Sequence, residues 1–278
     1  MRYGFYSGCS YRSAAGYSES VDAVSRALGI ELMEIPDWNC CGATAFFSVD
    51  EFKALILAAR NLALAQAHGL DEIVTICNAC YTTFRKAIKV LTGNPQKLAR
   101  VNEVLATEGL SIERTIAVRH LLDVLYNDVA EEVWFEKRPQ NLKDYTVAGY
   151  YGCQLTRPWG DLDVPEHPGI LERFLERLGF VTVEHSAKTL CCGAFHSISY
   201  ADECRPLISR IVSEIQFKGA DLITAVCPMC QFNLDAGQQM FGLAPLPVPF
   251  FTQLAGIALG LKAADLGLKK LLIPIKGF

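Results

Sequence analysis

Ten of the eleven cysteines in this chain fall into two groups that repeat the same order of types. Cys9, the adjacent pair Cys40-Cys41 followed by Gly42, and Cys77-x-x-Cys80 form the first. Cys153, Cys191-Cys192 followed by Gly193, and Cys227-x-x-Cys230 form the second. The gaps between successive cysteine units are 30 and 35 residues in the first copy and 37 and 34 in the second, so the repeat is one of architecture as well as composition. Thiolates are soft ligands that select iron–sulfur clusters, zinc or copper(I). One Cys-x-x-Cys is weak evidence, shared by zinc ribbons and thioredoxin-like proteins; two in the same order, each with a Cys-Cys-Gly before it, point to metal ligation. Five thiols per group exceed the four that fill a tetrahedral zinc site or an ordinary cubane, so either one thiolate bridges two irons or one cysteine is a free or outer thiol.

Each Cys-x-x-Cys is expected to end a strand with its first cysteine and to place the second on the first turn of a helix, turning both sulfurs to one point. The helix N-terminus there adds partial positive charge and free N–H donors, which favour thiolate. Pro228 suits an early helical position. Neighbouring residues of an extended chain point to opposite faces, so each Cys-Cys pair needs a bent backbone, for which Gly42 and Gly193 tolerate φ > 0. Cys204 shares a predicted helical face with Leu207, Ile208, Ile211 and Ile215 and reads as a core thiol. None of the histidines pairs with cysteine at zinc-finger spacing. His120 is expected on a helix surface or domain interface, His196 in a loop within reach of a sulfur, and His68, His167 and His185 in solvent. Arg173 and Arg177 read as the exposed face of a helix.

The elements that must position these thiols are legible as alternating strands and helices. Strands are expected at 2–7, 30–35 and 72–76, and helices at 18–29, 48–68, 78–91, from Asn94-Pro95 onward, and at 115–126. The second half replays the order, with strands at 145–151, 180–184 and 221–226, and helices at 165–178, 200–218 and from Cys227. This alternation predicts an α/β class with parallel βαβ units in two similar domains, 1–140 and 141–278, joined in the charged stretch 127–144. Ligands in such sheets gather at the carboxyl ends of strands, where the first cysteine of each motif falls.

Half of the residues are apolar and a fifth charged, which is globular composition; the formal charge of −4 provides no basic field for nucleic acid. The apolar run 246–261 is interrupted by Pro247 and Pro249 and reads as a short strand and a helix, not a membrane span. The N-terminus reaches Cys9 without the apolar core of a signal peptide, and the odd cysteine count argues for reduced thiols, so a cytoplasmic location is expected.

The cysteine pattern resembles the paired cysteine-rich CCG domains of the heterodisulfide reductase B subunit. Arg119-His120-Leu121-Leu122-Asp123-Val124-Leu125, Tyr151-Gly152-Cys153 with Arg157-Pro158, and Phe251-Thr252-Gln253-Leu254-Ala255-Gly256 are also similar to that protein family. The resemblance implies two noncubane [4Fe-4S] clusters, one held by each pentad: Cys9, Cys40, Cys41, Cys77 and Cys80, then Cys153, Cys191, Cys192, Cys227 and Cys230. It implies reduction, or in reverse formation, of a disulfide such as CoM-S-S-CoB, with electrons supplied by a ferredoxin-like C subunit and, behind it, a flavin-containing A subunit. It also implies that the cluster loops face each other across the domain junction.

The methanogen protein usually has histidine directly after the first cysteine of the second motif, where this chain has Gln154. Glutamine can orient a substrate sulfur by hydrogen bonding but delivers no proton at neutral pH. A heterodisulfide-reductase-like subunit of sulfur oxidation, acting on a protein- or lipoate-bound sulfur species, is therefore the near alternative. Zinc in the first pentad, a zinc-stabilised scaffold without redox activity, and a pure electron relay are the others.

Overall fold

The computed structural model describes residues 1–43, 45–136 and 138–277. The first half runs β1 (Arg2–Tyr6), α1 (Tyr17–Ala27), β2 (Glu31–Glu34), α2 (Ala45–Val49), α3 (Glu51–Ala67), β3 (Glu72–Thr75), α4 (Asn78–Thr92), α5 (Pro95–Leu105), β4 (Ala117–His120) and α6 (Leu121–Asn127). The second runs β5 (Thr146–Tyr150), α7 (Ile170–Leu178), β6 (Val181–Thr182), α8 (Ala201–Phe217), β7 (Leu222–Ala225), α9 (Pro228–Phe241) and α10 (Phe251–Ala258). All strand neighbours are parallel, in the orders β2-β1-β3-β4 and β6-β5-β7. Parallel sheets with helices on their faces bury their strands on both sides: β5, central in its sheet, is buried after its first residue, and β7 beside it along its whole length.

The place of β4 in the second sheet is taken by one parallel bridge from Ala225 to Phe250. Pro247 and Pro249 explain the reduction. Their carbonyls accept from the N–H groups of Ile223 and Ala225, but proline has no N–H with which to extend a ladder.

Three expectations need correction. Residues 115–126 form a strand and a short helix, because Ile116, Val118 and His120 are buried with period two before Leu121, Leu122, Val124 and Leu125 supply a helical face. The helix expected from 165 begins at Ile170, where the Asp163 carboxylate accepts from the N–H groups of Gly169 and Ile170. The strand expected at 180–184 pairs only over Val181–Thr182.

The halves exchange helices: α10 packs on α1, and α6 on α7. Tyr17 of α1 stacks on Phe250 with ring centroids 3.8 Å apart and planes 5° apart. The Ser20 and Thr252 hydroxyls bond at 2.7 Å. In the charged junction the fully buried Trp134 meets Phe174 of α7 edge-on at 5.4 Å, an anchor that charge patterning does not reveal. Arg177 lies at this α6–α7 contact instead of on a solvated face, donating to the Tyr126 carbonyl and lying 4.2 Å over its ring, whereas Arg173 is exposed as expected.

Candidate metal centre

The two pentads are built by the same local devices. Tyr6-Ser7-Gly8-Cys9 leaves β1, and Tyr150-Tyr151-Gly152-Cys153 leaves β5. The buried Tyr6 hydroxyl donates to the carbonyl of Asn39 at 2.8 Å, and Tyr150 donates to that of Leu190 at 2.7 Å. Each tyrosine thus pins the residue before its Cys-Cys pair. Neither is singled out by the sequence reading above, although the repeated Tyr-x-Gly-Cys carries the signal. Gly8 and Gly152 have φ of 65° and 68°, and a Cβ on Gly152 would stand 2.7 Å from the Cys230 sulfur. Glycine is required there to leave the sulfur room.

Cys77 and Cys227 cap α4 and α9 in extended conformation, with Cys80 and Cys230 on the first turns, as the spacing predicts. Gly42 and Gly193 take φ of 75° and 91°. The Cys-Cys pairs do split across faces: Cys40 and Cys191 are exposed, Cys41 and Cys192 buried. Cys41 meets Cys80 at 3.4 Å and Cys192 meets Cys230 at 3.6 Å. Cys9 adjoins Cys40, and Cys153 adjoins Cys191. All ten predicted thiols are therefore brought together, in two runs that meet where Cys77 lies 4.0 Å from Cys227.

Such crowding cannot leave every thiol ionised without a counter-cation. The sulfurs of Cys41 and Cys9, then the N–H groups of Gly42 and Ala43, hold Cys40 down to about 2. Its neighbour Cys41 is pushed up to about 12 by that Cys40 sulfur. Cys153 and the Gly193 N–H lower Cys191 to about 6. The sulfurs form chains and do not ring a point, and among the described residues no three His, Cys, Asp or Glu side chains are placed to hold a single metal ion. Five thiols per half with glycine clearance is instead the donor set of a soft polynuclear group.

The pseudo-symmetry is broken at two positions. The Asn78 N–H reaches the Cys227 sulfur, whereas the equivalent Pro228 has none to return to Cys77. Contact with Cys230 and Cys77, helped by these N–H donors, holds Cys227 well below the usual thiol range, and contact with Cys227 pushes Cys77 well above it. Asn78 also donates through its side chain to the Tyr151 carbonyl at 2.5 Å, tying the halves together. Asn233 on α9 donates to the Cys192 sulfur at 3.3 Å and the Ala194 carbonyl at 2.7 Å; its counterpart on α4 is Thr83, whose buried hydroxyl has no partner.

His120 caps α6, its Nδ1 accepting from Leu122 at 3.2 Å, and is fully buried between Tyr81 and Phe251, so of its expected places it takes the interface. Its Nε2 faces the carbonyls of Ile76 and Val226, the residues before Cys77 and Cys227, without a well-formed hydrogen bond. His185, expected in solvent, is 4 % exposed with Nε2 on the Gly149 carbonyl at 3.0 Å. Burial lowers both rings to about 4. His68 and His167 are exposed as expected, and His196 lies near enough to Cys191 to help lower it. Cys204 is buried outside both runs, but Leu207 is exposed and not on its core face; Cys204 instead lies directly beneath Gly193. Gln154 lines a cleft of about 230 Å³ between α4 and the loop that follows Cys153.

Comparison with known proteins follows the same division of the chain. The cysteine-rich domain (CCG) family model matches residues 3–85 and 147–235. The chain is 34 % identical over 275 residues to the 8-methylmenaquinol:fumarate reductase membrane anchor subunit of Wolinella succinogenes, covering 96 % of this chain and 95 % of that one. It is 30 % identical over 272 residues to the B subunit of the ferredoxin:CoB-CoM heterodisulfide reductase of Methanosarcina mazei, covering 92 % and 88 %. A hypothetical protein from Helicobacter pylori shares the fold at a TM-score of 0.77 with 16 % identity, over all of this chain and 53 % of its own. Among the described residues no helix is long and apolar enough to cross a membrane.

Proposed function

This chain belongs to the family of paired cysteine-rich domains that includes the heterodisulfide reductase B subunit, and on that premise we propose that it is the disulfide-handling component of an oxidoreductase complex. Each pentad holds an iron–sulfur cluster of the noncubane [4Fe-4S] kind. The observation that carries this reading is the 4.0 Å approach of Cys77 to Cys227. A sulfur–sulfur bond brought to that junction has a thiol-rich centre on either side.

When bound, the clusters supply single electrons and a soft cationic partner for sulfur. The rest falls to the chain. Asn78 ties the two halves together through the Tyr151 carbonyl, His120 packs between the two strand ends, and Tyr6 and Tyr150 fix the Cys-Cys loops. Gln154 orients the substrate from beside Cys153. A disulfide takes up two electrons and two protons to give two thiols. Gln154 carries no titrating proton, so the protons come from solvent. The electrons enter from a ferredoxin-like subunit with a flavin subunit behind it. Phe195, Ile198 and Tyr200, 48 %, 70 % and 55 % exposed just after Cys191-Cys192-Gly193, form an apolar patch suited to that contact. Clustered reduced thiols suit the cytoplasm.

Metal analysis of protein prepared anaerobically tests the reading. About four irons per pentad with visible absorbance is the expected result. Zinc in the first pentad alone would make that half structural, and zinc throughout without absorbance would end the redox reading. The resemblance to the Wolinella protein favours a second reading, an electron relay or docking subunit without disulfide turnover. A paramagnetic signal that appears on half-oxidation only with a disulfide present decides against the relay.

A further inference from the structure

An N–H group that donates to a cluster sulfur stabilises negative charge there, and so favours the state that carries one more electron. The two pentads share most such donors. The backbone N–H groups of Gly42 and Ala43 reach the Cys40-Cys41 pair, as those of Gly193 and Ala194 reach Cys191-Cys192. The N–H groups of Cys80 and Cys230 likewise reach Cys77 and Cys227. Equivalent donors at equivalent sulfurs offset one another.

Two donors have no equivalent, and both serve the second pentad. Asn233, 1 % exposed, donates from its side-chain amide to the Cys192 sulfur at 3.3 Å. Its counterpart Thr83 is buried as deeply, but its hydroxyl has no hydrogen-bond partner, the Cys41 sulfur included. The Asn78 N–H crosses from the first half to the Cys227 sulfur, and Pro228, from whose position a bond to Cys77 would return, has no N–H. Against these the first pentad has one contact of its own, the Ser10 hydroxyl 3.7 Å from the Cys9 sulfur, on an exposed rim where water competes with it. A hydrogen bond to charge is stronger in a buried, low-dielectric setting than beside solvent, so the balance favours the second pentad.

We propose that Asn233 and the mismatch between Asn78 and Pro228 set the order in which the two halves take electrons, holding the second pentad at the higher reduction potential. The first electron then settles beside Cys192 and Cys227, and the second beside Cys41 and Cys77. Each step adds one electron from an external reductant, and no bond within the chain forms or breaks. A disulfide at the junction thus meets one reduced and one oxidised side, which distinguishes its two sulfurs. The proposal rests on the reading of both pentads as iron–sulfur centres.

Potentiometric titration of anaerobically prepared protein, followed by visible and paramagnetic spectra with iron measured on the same samples, reads the order. Two one-electron waves are expected, each unmatched donor separating them by about tenfold in the reduction equilibrium constant, or about 59 mV. Asn233→Thr, which copies the first half, should lower the upper wave by about one such step and leave the lower wave in place. Pro228→Ala restores the missing N–H and should raise the lower wave by a similar step with the upper wave in place. It does not touch the Cys-Cys-Gly loop, so it reads the order independently of any loss of iron in Asn233→Thr. A single wave in the wild type overturns the proposal, as does a Pro228→Ala protein whose lower wave stays where it was. Protein without iron overturns it together with the iron–sulfur reading, whereas full iron with unmoved waves overturns the ordering alone.

Discussion

Cys77 and Cys227, equivalent residues of the two halves, stand with their sulfurs 4.0 Å apart and buried, while Cys40 and Cys191 lie exposed at the rims of their runs. A change at the junction should therefore be felt on both sides and a change at a rim on one. Cys227→Ala is expected to lower iron at both pentads, and Cys40→Ala at the first alone, measured as iron per chain with the visible spectrum. Cys41→Ala and Cys192→Ala should each abolish disulfide turnover. Full activity in a variant that has lost either cluster would refute a mechanism using both.

Gly193 and Cys204 form a second informative pair. A Cβ at Gly193 would stand 2.4 Å from the Cys204 sulfur, on a backbone with φ of 91°. Gly193→Ala should thus strip metal from the second pentad, and Cys204→Ala should leave iron and rate nearly intact. In the double variant the sulfur clash is gone, while a tight 3.1 Å contact with the Cβ of residue 204 and about 1–2 kcal/mol of left-handed strain remain, so recovery should be partial. No recovery would mean that the clash is not what Gly193 avoids.

Behind Cys153 lies a buried ion pair. Lys188 and Glu172, with side chains 2 % and 5 % exposed, meet at 3.0 Å, and Tyr151 donates to the other Glu172 oxygen at 2.5 Å. The pair satisfies the distance for an ion pair but not the geometry of a hydrogen bond at that oxygen. Lys188→Met leaves a carboxylate buried without its cation and should cost about 3–5 kcal/mol in denaturant unfolding. Adding Glu172→Gln should return part of that. Strict additivity of the two changes would show that the groups do not interact.

The two buried histidines set a pH dependence. His120 and His185 titrate at about 4 in the fold, below the ordinary value of about 6.5, because burial disfavours the charged ring. Between those values the unfolded chain binds more protons than the native one, so stability rises with pH in this window and is lost on acidification from about 6.5 to about 4. Each histidine contributes at most roughly 3 kcal/mol to that loss. In His185→Gln the slope of unfolding free energy against pH over this range should be nearly halved.

The exposed patch after Cys192 should matter to electron entry and not to folding. Ile198, 70 % exposed, tolerates a charge on steric grounds. Ile198→Glu should leave iron content and Tm unchanged while slowing reduction by the native donor about tenfold or more. An unchanged rate with the native donor would move the contact elsewhere on the surface.

How much of this is written in the chain can be read from individual residues. The ten thiols, their division into two groups, the glycines behind each Cys-Cys pair and the α/β alternation follow from spacing and period, because a Cys-x-x-Cys at a helix start, a Cys-Cys-Gly turn and strand–helix alternation obey local rules that a sequence displays directly. His120 shows the limit. Its neighbours look helical, yet Ile116, Val118 and His120 join the edge of a sheet whose other strands lie more than forty residues away, and only that pairing buries the ring between the two cysteine strands. His185, Trp134, Arg177 and the Lys188–Glu172 pair are likewise illegible locally, since a polar or aromatic side chain is placed by whichever distant segment supplies its partner. The meeting of Cys77 with Cys227, 150 residues apart, is the extreme case. Family resemblance implies that the clusters face each other, but the contact itself depends on helices exchanged between the halves, and those helices pack by surface fit that no local pattern encodes.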